Sequence, residues 1–530
     1  MKNLLSFIRP LWASLLVTAV FAMFGGSIVR AAELEPWRAV IPRPVSLAAG
    51  QGYFSLTADT VIVADAASRT TAAQLAGYLQ PATGYTLNIA AGAGGARNVI
   101  TLAQDPGLTE LGAEGYLLNA TPQRIALTAP TQAGLFYAVQ TLRQLLPPAI
   151  FATNAASSIV WQVPCVKIKD VPRFGWRGLM LDTGHDFQEL PFLLRFIDLM
   201  ALHKFNTLHW HIMDLGTWPL EIKGYPKLIE PSTRGTRRMG NPKRGVKPGC
   251  YTQDQVRQVV RYAAERHITI VPEIEMPGHS PVALAAYPEF DCPVTQKVWE
   301  WDRWSYCAGN EKAYGFLQDV LTQVMELFPS AFIHIGGDEC PKERWKKCPL
   351  CQAKMKAEGL KNEEELQSYF VKRIEKFLNA KGRRLIGWDE ILEGGLAPNA
   401  AVMAWRPAQK AEIAAAQAGH DVVMASTSHL YFDYSYATTP LQKVYSFEPV
   451  SKELTPAQAA HILGAQAQMW TDNHPTEQEI EALVYPRACA LAEVVWSPAA
   501  ARDYGSFTAR LQVHARRLAA LDVHYHPLAP

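Results

Sequence analysis

Two rhythms of apolar and polar positions divide this chain. From Arg173 onward, short apolar runs recur at 178–181, 207–211, 268–271, 332–335, 384–388, 402–405, 422–425 and 462–466. Stretches with apolar residues three and four apart lie between most of them, as at 253–267, 311–328 and 362–380. A short apolar run reads as a strand buried on both faces, and the 3.6-residue period reads as an amphipathic helix. Eight strands alternating with helices predict an α/β fold, one (β/α)8 TIM barrel with insertions, over residues 169–530. An open doubly wound sheet is the rival, but no Gly-rich phosphate loop follows the first strand.

Ahead of the barrel, residues 33–168 mix strand-like runs at 60–63, 98–102, 115–118 and 125–128 with helical runs at 68–79 and 134–146. That mixture predicts a small α+β domain. It holds no cluster of acids or histidines, so its expected task is packing.

The polar residues of the second rhythm fall where the strands end. Catalytic groups of a TIM barrel gather at the C-terminal ends of its strands. The fourth run ends in His334-Ile335-Gly336-Gly337-Asp338-Glu339, where two glycines free the backbone to turn before two adjacent acids. The other runs end similarly: Asp182 with His185, His211 with Asp214, and Glu273 with Glu275 and His279. Then come Trp388-Asp389-Glu390, Trp405-Arg406, Tyr431 with Asp433, and Trp470 with Asp472. One acid at a strand end is usually a helix cap. Eight ends converging on acids, histidines and aromatic rings point to a site for a sugar, which is apolar on its faces and hydroxylated at its rim. His209 and His211 fit either site or structure.

Composition narrows the partners. A formal net charge of +2 over 530 residues gives no global field for nucleic acid. Fourteen Trp and 19 Tyr exceed what cores of this length need, as a carbohydrate site would. Lys2 and Arg9, then the 14-residue apolar run 11–24 and the small residues Ala31-Ala32, predict a cleaved secretory signal over 1–32. The run is short of the ~20 residues a membrane span needs, so cleavage is favoured over the alternative of a retained anchor. The chain is therefore expected to be exported, periplasmic or extracellular, with no stable membrane span after cleavage.

Export changes how the eight cysteines read. Cys292 and Cys307 bracket Trp299, Trp301 and Trp304 and are expected to pair as a disulfide. Cys340, Cys348 and Cys351 cluster behind the acid pair. A disulfide among them is favoured over zinc at Cys348-x-x-Cys351, because a second matching pair is missing. Cys165, Cys250 and Cys489 are unassigned.

The motifs "HIGGDE" at 334–339, "HWHIMD" at 209–214, "PEIEMPGH" at 272–279, "YCAGNE" at 306–311 and "GWDE" at 387–390 occur in one order. In that order they resemble the β-N-acetylhexosaminidases of glycoside hydrolase family 20. The segment "GLFYAVQTLRQLL" at 134–146 resembles the end of that family's N-terminal domain.

The resemblance implies exo-acting hydrolysis of terminal β-linked GlcNAc or GalNAc with retention, the substrate's own acetamide serving as nucleophile. Glu339 would be the acid and base. Asp338 would orient the acetamide, Asp214 and His279 would tune the acid, and Tyr431 would donate to the acetamido oxygen. Trp388, Trp405 and Trp470 would box the sugar, and Asp433 would hold a hydroxyl. No metal or organic cofactor is implied; the partner is an N-acetylhexosamine-terminated glycan. Linkage and oligomeric state are not legible.

Three positions depart from the pattern. His185 stands where an Arg usually grips the sugar, Leu215 follows Asp214 where a second Asp is usual, and Asp472 replaces a Glu. An Arg-to-His change loses a planar, permanently charged fork. The departures keep a disaccharide-releasing or 6-sulfo-GlcNAc-specific enzyme open, and an inactive sugar-binding barrel behind it. Arg234, Arg237, Arg238, Lys243, Arg244 and Lys247 form a basic stretch after the second strand. It reads as a solvated loop, or as an attractor of sulfated or sialylated glycans.

Overall fold

A computed structural model describes residues 38–528 except 93–96, 157, 231–248, 295–303 and 475. The expected signal segment, Trp299 and Trp301, and the basic stretch from Arg234 to Lys247 lie outside the described residues.

The first part is a seven-stranded mixed sheet of β1 (Ser46–Ser55), β2 (Val61–Ala64), β3 (Asn88–Ala90), β4 (Val99–Gln104), β5 (Tyr116–Ala120), β6 (Arg124–Ala129) and β7 (Gln162–Asp170). Their order is β1-β7-β5-β6-β4-β2-β3. The four strand-like runs of the sequence are β2, β4, β5 and β6. The helices Arg69–Thr83 and Gln132–Leu145 overlap the two helical runs. β1 carries Ala and Gly and is mostly exposed, so neither propensity nor alternation marks it; pairing with β7 creates it.

Helix Gln132–Leu145 is buried along nearly its whole length because it is pressed between this sheet and the second part. Glu114 takes both arms of the buried Arg177 guanidinium at 2.7 Å each. Lys204 Nζ donates to Asp170 at 2.8 Å, and Trp496 Nε1 donates to the same carboxylate at 2.9 Å. Charges placed in an apolar seam are costly unless paired, so these pairs fix how the two parts meet.

The second part is a closed parallel barrel. Its strands are β8 (Trp176–Asp182), β9 (Thr207–His211), β10 (Thr269–Glu273), β11 (Phe332–His334), β12 (Arg384–Trp388), β13 (Ala401–Ala404), β14 (Val422–Met424) and β15 (Ile462–Met469). All eight apolar runs are these strands. Trp176, Met180, Val271, Ile386, Met403 and Val423 pack within the barrel. Helices Gln253–Ala264, Glu311–Leu327 and Glu363–Ala380 lie where the 3.6-residue period places them. Thr252, Asn310 and Asn362 cap their first turns with side-chain oxygens. Among the described residues no helix is long and apolar enough to cross a membrane.

The expected disulfides are not formed: Cys292, Cys307, Cys340, Cys348 and Cys351 are all unbonded. Cys307 Sγ lies 3.6 Å from Cys348 Sγ and 3.7 Å from Cys351 Sγ. A disulfide needs about 2.05 Å. The sequence does not show this arrangement, because the segment after β10 and the start of helix Pro349–Glu358 bring the sulfurs together only in the fold.

Candidate active site

The turn after β11 is built around glycine. Gly336 and Gly337 have φ of 68° and 91°. A Cβ on Gly336 would stand 1.8 Å from Glu275 Oε2, so the turn needs glycine for space as well as for backbone freedom. Gln367 Nε2 donates to Gly337 O at 2.7 Å and pins the turn. Asp338 then faces inward with 14% of its side chain exposed, while Glu339 stands 59% exposed at the rim.

Between them sits His279, delivered by the loop after β10. Its Nε2 lies 3.7 Å from Asp338 Oδ2 and 3.7 Å from Glu339 Oε2, and its Nδ1 bonds Asp214 Oδ1 at 2.9 Å. Glu339 and His279 have φ of 42° and 49°, in the left-handed region that non-glycine residues rarely adopt. Such strain gathers where geometry is imposed by the surroundings.

A second chain of charges starts at β8. Asp182 accepts from His211 Nδ1 at 2.9 Å, from His185 Nδ1 at 2.9 Å and from the Thr471 hydroxyl at 2.9 Å. His185 Nε2 faces Asp214 Oδ2 at 3.4 Å, so both its ring nitrogens meet carboxylates of this chain. Leu215, in place of an acid, donates its backbone N–H to Asp214.

Aromatic rings close the other side. Trp405 stacks on Tyr431 at 6.2 Å and 24°, Tyr431 meets Trp470 at 6.4 Å, and Trp470 meets Trp388 at 6.1 Å. Trp388 Nε1 donates to Glu273 at 2.8 Å and Trp405 Nε1 to Glu390 at 2.9 Å. The loop bearing Tyr431 and Asp433 is tied to β15 through Phe432 N to Gln468 O at 2.8 Å, and Arg487 donates to its carbonyls. Asp433 Oδ1 and Asp338 Oδ1 are buried without a hydrogen-bond partner, and Asp472, just past the end of β15, lies near Asp433 and His185. A cavity of about 350 Å³ runs from Glu339 along Glu390, Trp405 and Arg406.

Burial opposes charge on the His279 and His185 rings, yet their carboxylate neighbours win and raise both to about 10. Burial raises the Asp338 carboxyl to about 6 against the pull of His279. Burial, with the charge of Asp338, lifts Glu390 to about 8. Burial, with the charge of Asp472 adding to it, raises Asp433 to about 7. His209 is lowered to about 4 by burial; it sits under the site against Glu273 at 2.9 Å, a structural place.

These shifts carry a stability consequence. A histidine whose folded value lies above its unfolded value stabilises the fold fully below pH ~6.5. That contribution is lost as pH rises through the folded value of about 10 for both His185 and His279. The melting temperature is expected to fall between pH 6.5 and 10, and less steeply in His279→Gln; parallel slopes for the two proteins would contradict it.

Sequence reasoning selected Asp338, Glu339, Asp214, His279, Tyr431, His185, His211, Trp388, Trp405, Trp470, Asp433 and Asp472, and the barrel brings all of them to one face. It did not select Glu275 and Glu390, whose carboxyls are raised beside Asp338, nor Trp304, whose ring lies 6.2 Å from His279. Both acids stood at strand ends, but their nearness to Asp338 is visible only in three dimensions.

Paired acids and an aromatic wall at the open end of a (β/α)8 barrel define a glycoside-cleaving class of site. Residues 174–499 match the model of the glycosyl hydrolase family 20 catalytic domain, and residues 38–171 match domain 2 of that family. The chain belongs to glycosyl hydrolase family 20. It is 41% identical over 506 residues to a beta-hexosaminidase of Porphyromonas gingivalis, covering 92% of this chain but 64% of that protein. The fold superposes on the GH20 beta-N-acetylhexosaminidase of Streptomyces coelicolor A3(2) with a TM-score of 0.81 and 31% identity, covering 93% and 98% of the two chains. A GH20 exo beta-N-acetylglucosaminidase of Vibrio harveyi, solved with N-acetylglucosamine, gives 0.84 at 28% identity over 94% of this chain and 79% of that one.

Proposed function

We propose that this chain is an exo-acting β-N-acetylhexosaminidase that removes terminal β-linked N-acetylhexosamine with retention of configuration. The observation that carries this reading is the Asp338–Glu339 pair sharing one His279 ring at 3.7 Å from each. Most retaining glycosidases use a protein carboxylate as nucleophile. Here the two acids are neighbours on one turn and serve two atoms of one sugar. Glu339 donates a proton to the glycosidic oxygen as the acetamido oxygen attacks C1 and the C1–O bond breaks. Asp338 accepts the acetamide N–H through the buried, unpartnered Oδ1 and offsets the positive charge of the oxazolinium ion. Water then attacks C1, Glu339 takes its proton, and the ring opens to the β-configured product.

His279, held by Asp214, and His185, held between Asp182 and Asp214, supply the positive charge that keeps this acid-rich site together. Trp388, Trp405 and Trp470 take the sugar and acetamide faces, and the Tyr431 hydroxyl reaches the acetamido oxygen. Asp433 and Asp472 receive the hydroxyls. The relatives named beta-hexosaminidase and the N-acetylglucosamine bound in the Vibrio harveyi structure support a monosaccharide-releasing enzyme over a disaccharide-releasing one. Lys2, Arg9 and the apolar run 11–24 support export as the route of this chain.

The test is hydrolysis of the 4-nitrophenyl N-acetyl-β-glucosaminide beside the β-glucoside that lacks the acetamide. Release from the first only is expected. Equal rates on both would remove the acetamide from the mechanism.

A further inference from the structure

Four cysteines that the hydrolysis does not use meet in one place. Cys292 follows the short turn Pro288–Phe290, and Cys307 lies just ahead of helix Glu311–Leu327. Cys348 stands immediately ahead of helix Pro349–Glu358, and Cys351 lies in its first turn. All four are buried, with exposures of 4%, 0%, 0% and 0%. Their sulfurs lie within 4.8 Å of one another, with 3.6 Å between Cys307 and Cys348, 3.7 Å between Cys307 and Cys351, and 3.9 Å between Cys292 and Cys351.

We propose that Cys292, Cys307, Cys348 and Cys351 form a tetrahedral structural zinc site. Zinc–thiolate bonds of ~2.3 Å in a tetrahedron put the sulfurs about 3.8 Å apart, and three of the pairs here stand at 3.6, 3.7 and 3.9 Å. Two disulfides would show two short pairs and long distances between them. The surroundings suit a doubly negative Zn(Cys)4 centre. Arg344 is buried beside it, donating to Cys292 O at 2.6 Å and pairing with Asp291 at 3.0 Å. Its Nε and Nη1 are buried without a hydrogen-bond partner. The helix N-terminus at Cys348 further favours thiolate.

The backbone is drawn in around the quartet. A Cβ on Gly309 would meet the Leu350 carbonyl carbon at 2.2 Å and Cys351 N at 2.5 Å, so only glycine lets the Cys307 loop approach the helix. Trp345 Nε1 donates to Tyr306 O at 2.9 Å across the same seam.

Binding would release the protons of the thiols still protonated and involve no change of oxidation state. All four ligands are protein sulfurs, so the ion has no open position for water or substrate. Its task is to staple the loop after β10, which bears His279, to the segment after β11, which bears Asp338 and Glu339. Cys348-x-x-Cys351 has no second closely spaced pair in the sequence; Cys292 and Cys307, 15 residues apart, complete the set once the barrel brings them in.

The experiment is metal analysis of the intact purified chain, with thiol counting after denaturation. One zinc per chain is expected, retained through dialysis against EDTA and released by an organomercurial. Replacement by Co²⁺ should give the thiolate-to-cobalt absorption of a tetrahedral sulfur site. The double variant Cys348→Ser/Cys351→Ser should lose the zinc, and Cys165→Ser should keep it. A metal-free chain overturns the site, whether its cysteines are paired or reduced. Iron in place of zinc, or zinc retained by the double variant, overturns it equally. The metal and thiol counts are read on the unmutated chain, so they stand even where a variant fails to fold. None of these readouts is hydrolysis, so they stand apart from the test of the proposed activity.

Discussion

Glu339→Gln is expected to lower turnover of natural glycans by about 10²- to 10⁴-fold, the range that positioned acid–base groups supply. KM should change little, because glutamine keeps the shape and polarity of the side chain. The carboxylate is 59% exposed and packs in no core, so the variant should melt like the parent. The loss should shrink on a substrate whose leaving group is a strongly acidic phenol. Such a group departs without a proton, and only the step that activates water remains impaired. An equal loss on both kinds of substrate would show that Glu339 does not protonate the leaving oxygen. Full activity would remove it from the mechanism.

Asp338→Ala is expected to cost about 10²- to 10³-fold in kcat on acetamido sugars, in line with removal of a preorganised group that meets developing charge. Glu339 and its neighbours remain, so the remaining rate reports how much the acetamide achieves unguided. Asp338 also sets an expected pH limb. Its carboxyl is raised to about 6, chiefly by burial, and only the charged form can offset the oxazolinium. In the parent, kcat/KM should therefore fall as pH drops below about 6, and this limb should be absent in the variant. A variant that keeps the limb would assign it to another group, with Glu390 and Asp433 the neighbours to change next. Unchanged turnover in Asp338→Ala would end the substrate-assisted scheme.

The local pattern determined which elements form. The barrel strands were readable because strands buried on both faces are mostly apolar, and helices Gln253–Ala264, Glu311–Leu327 and Glu363–Ala380 because their buried stripes repeat every 3.6 residues. The polar residues that interrupt those patterns at strand ends were legible as a site, because a barrel gathers its strand ends on one face. The two glycines before Asp338 announced their turn. β1 was not legible, since its Ala- and Gly-rich segment acquires strand form from pairing with β7 rather than from its own preference.

What only the tertiary structure decided are contacts between residues far apart in sequence. His185 stands in the place of a sugar-gripping arginine, but folding sets it between Asp182 and Asp214. Glu275 and Glu390 gain their raised carboxyls from burial beside Asp338. The cysteines changed most: a loop spacing that predicted one disulfide became half of a four-sulfur cage. Periodicity records which face of an element is buried, and burial is a local demand that sequence must satisfy residue by residue. Charge pairing and metal geometry depend on distances between elements, and those exist only once the barrel has closed.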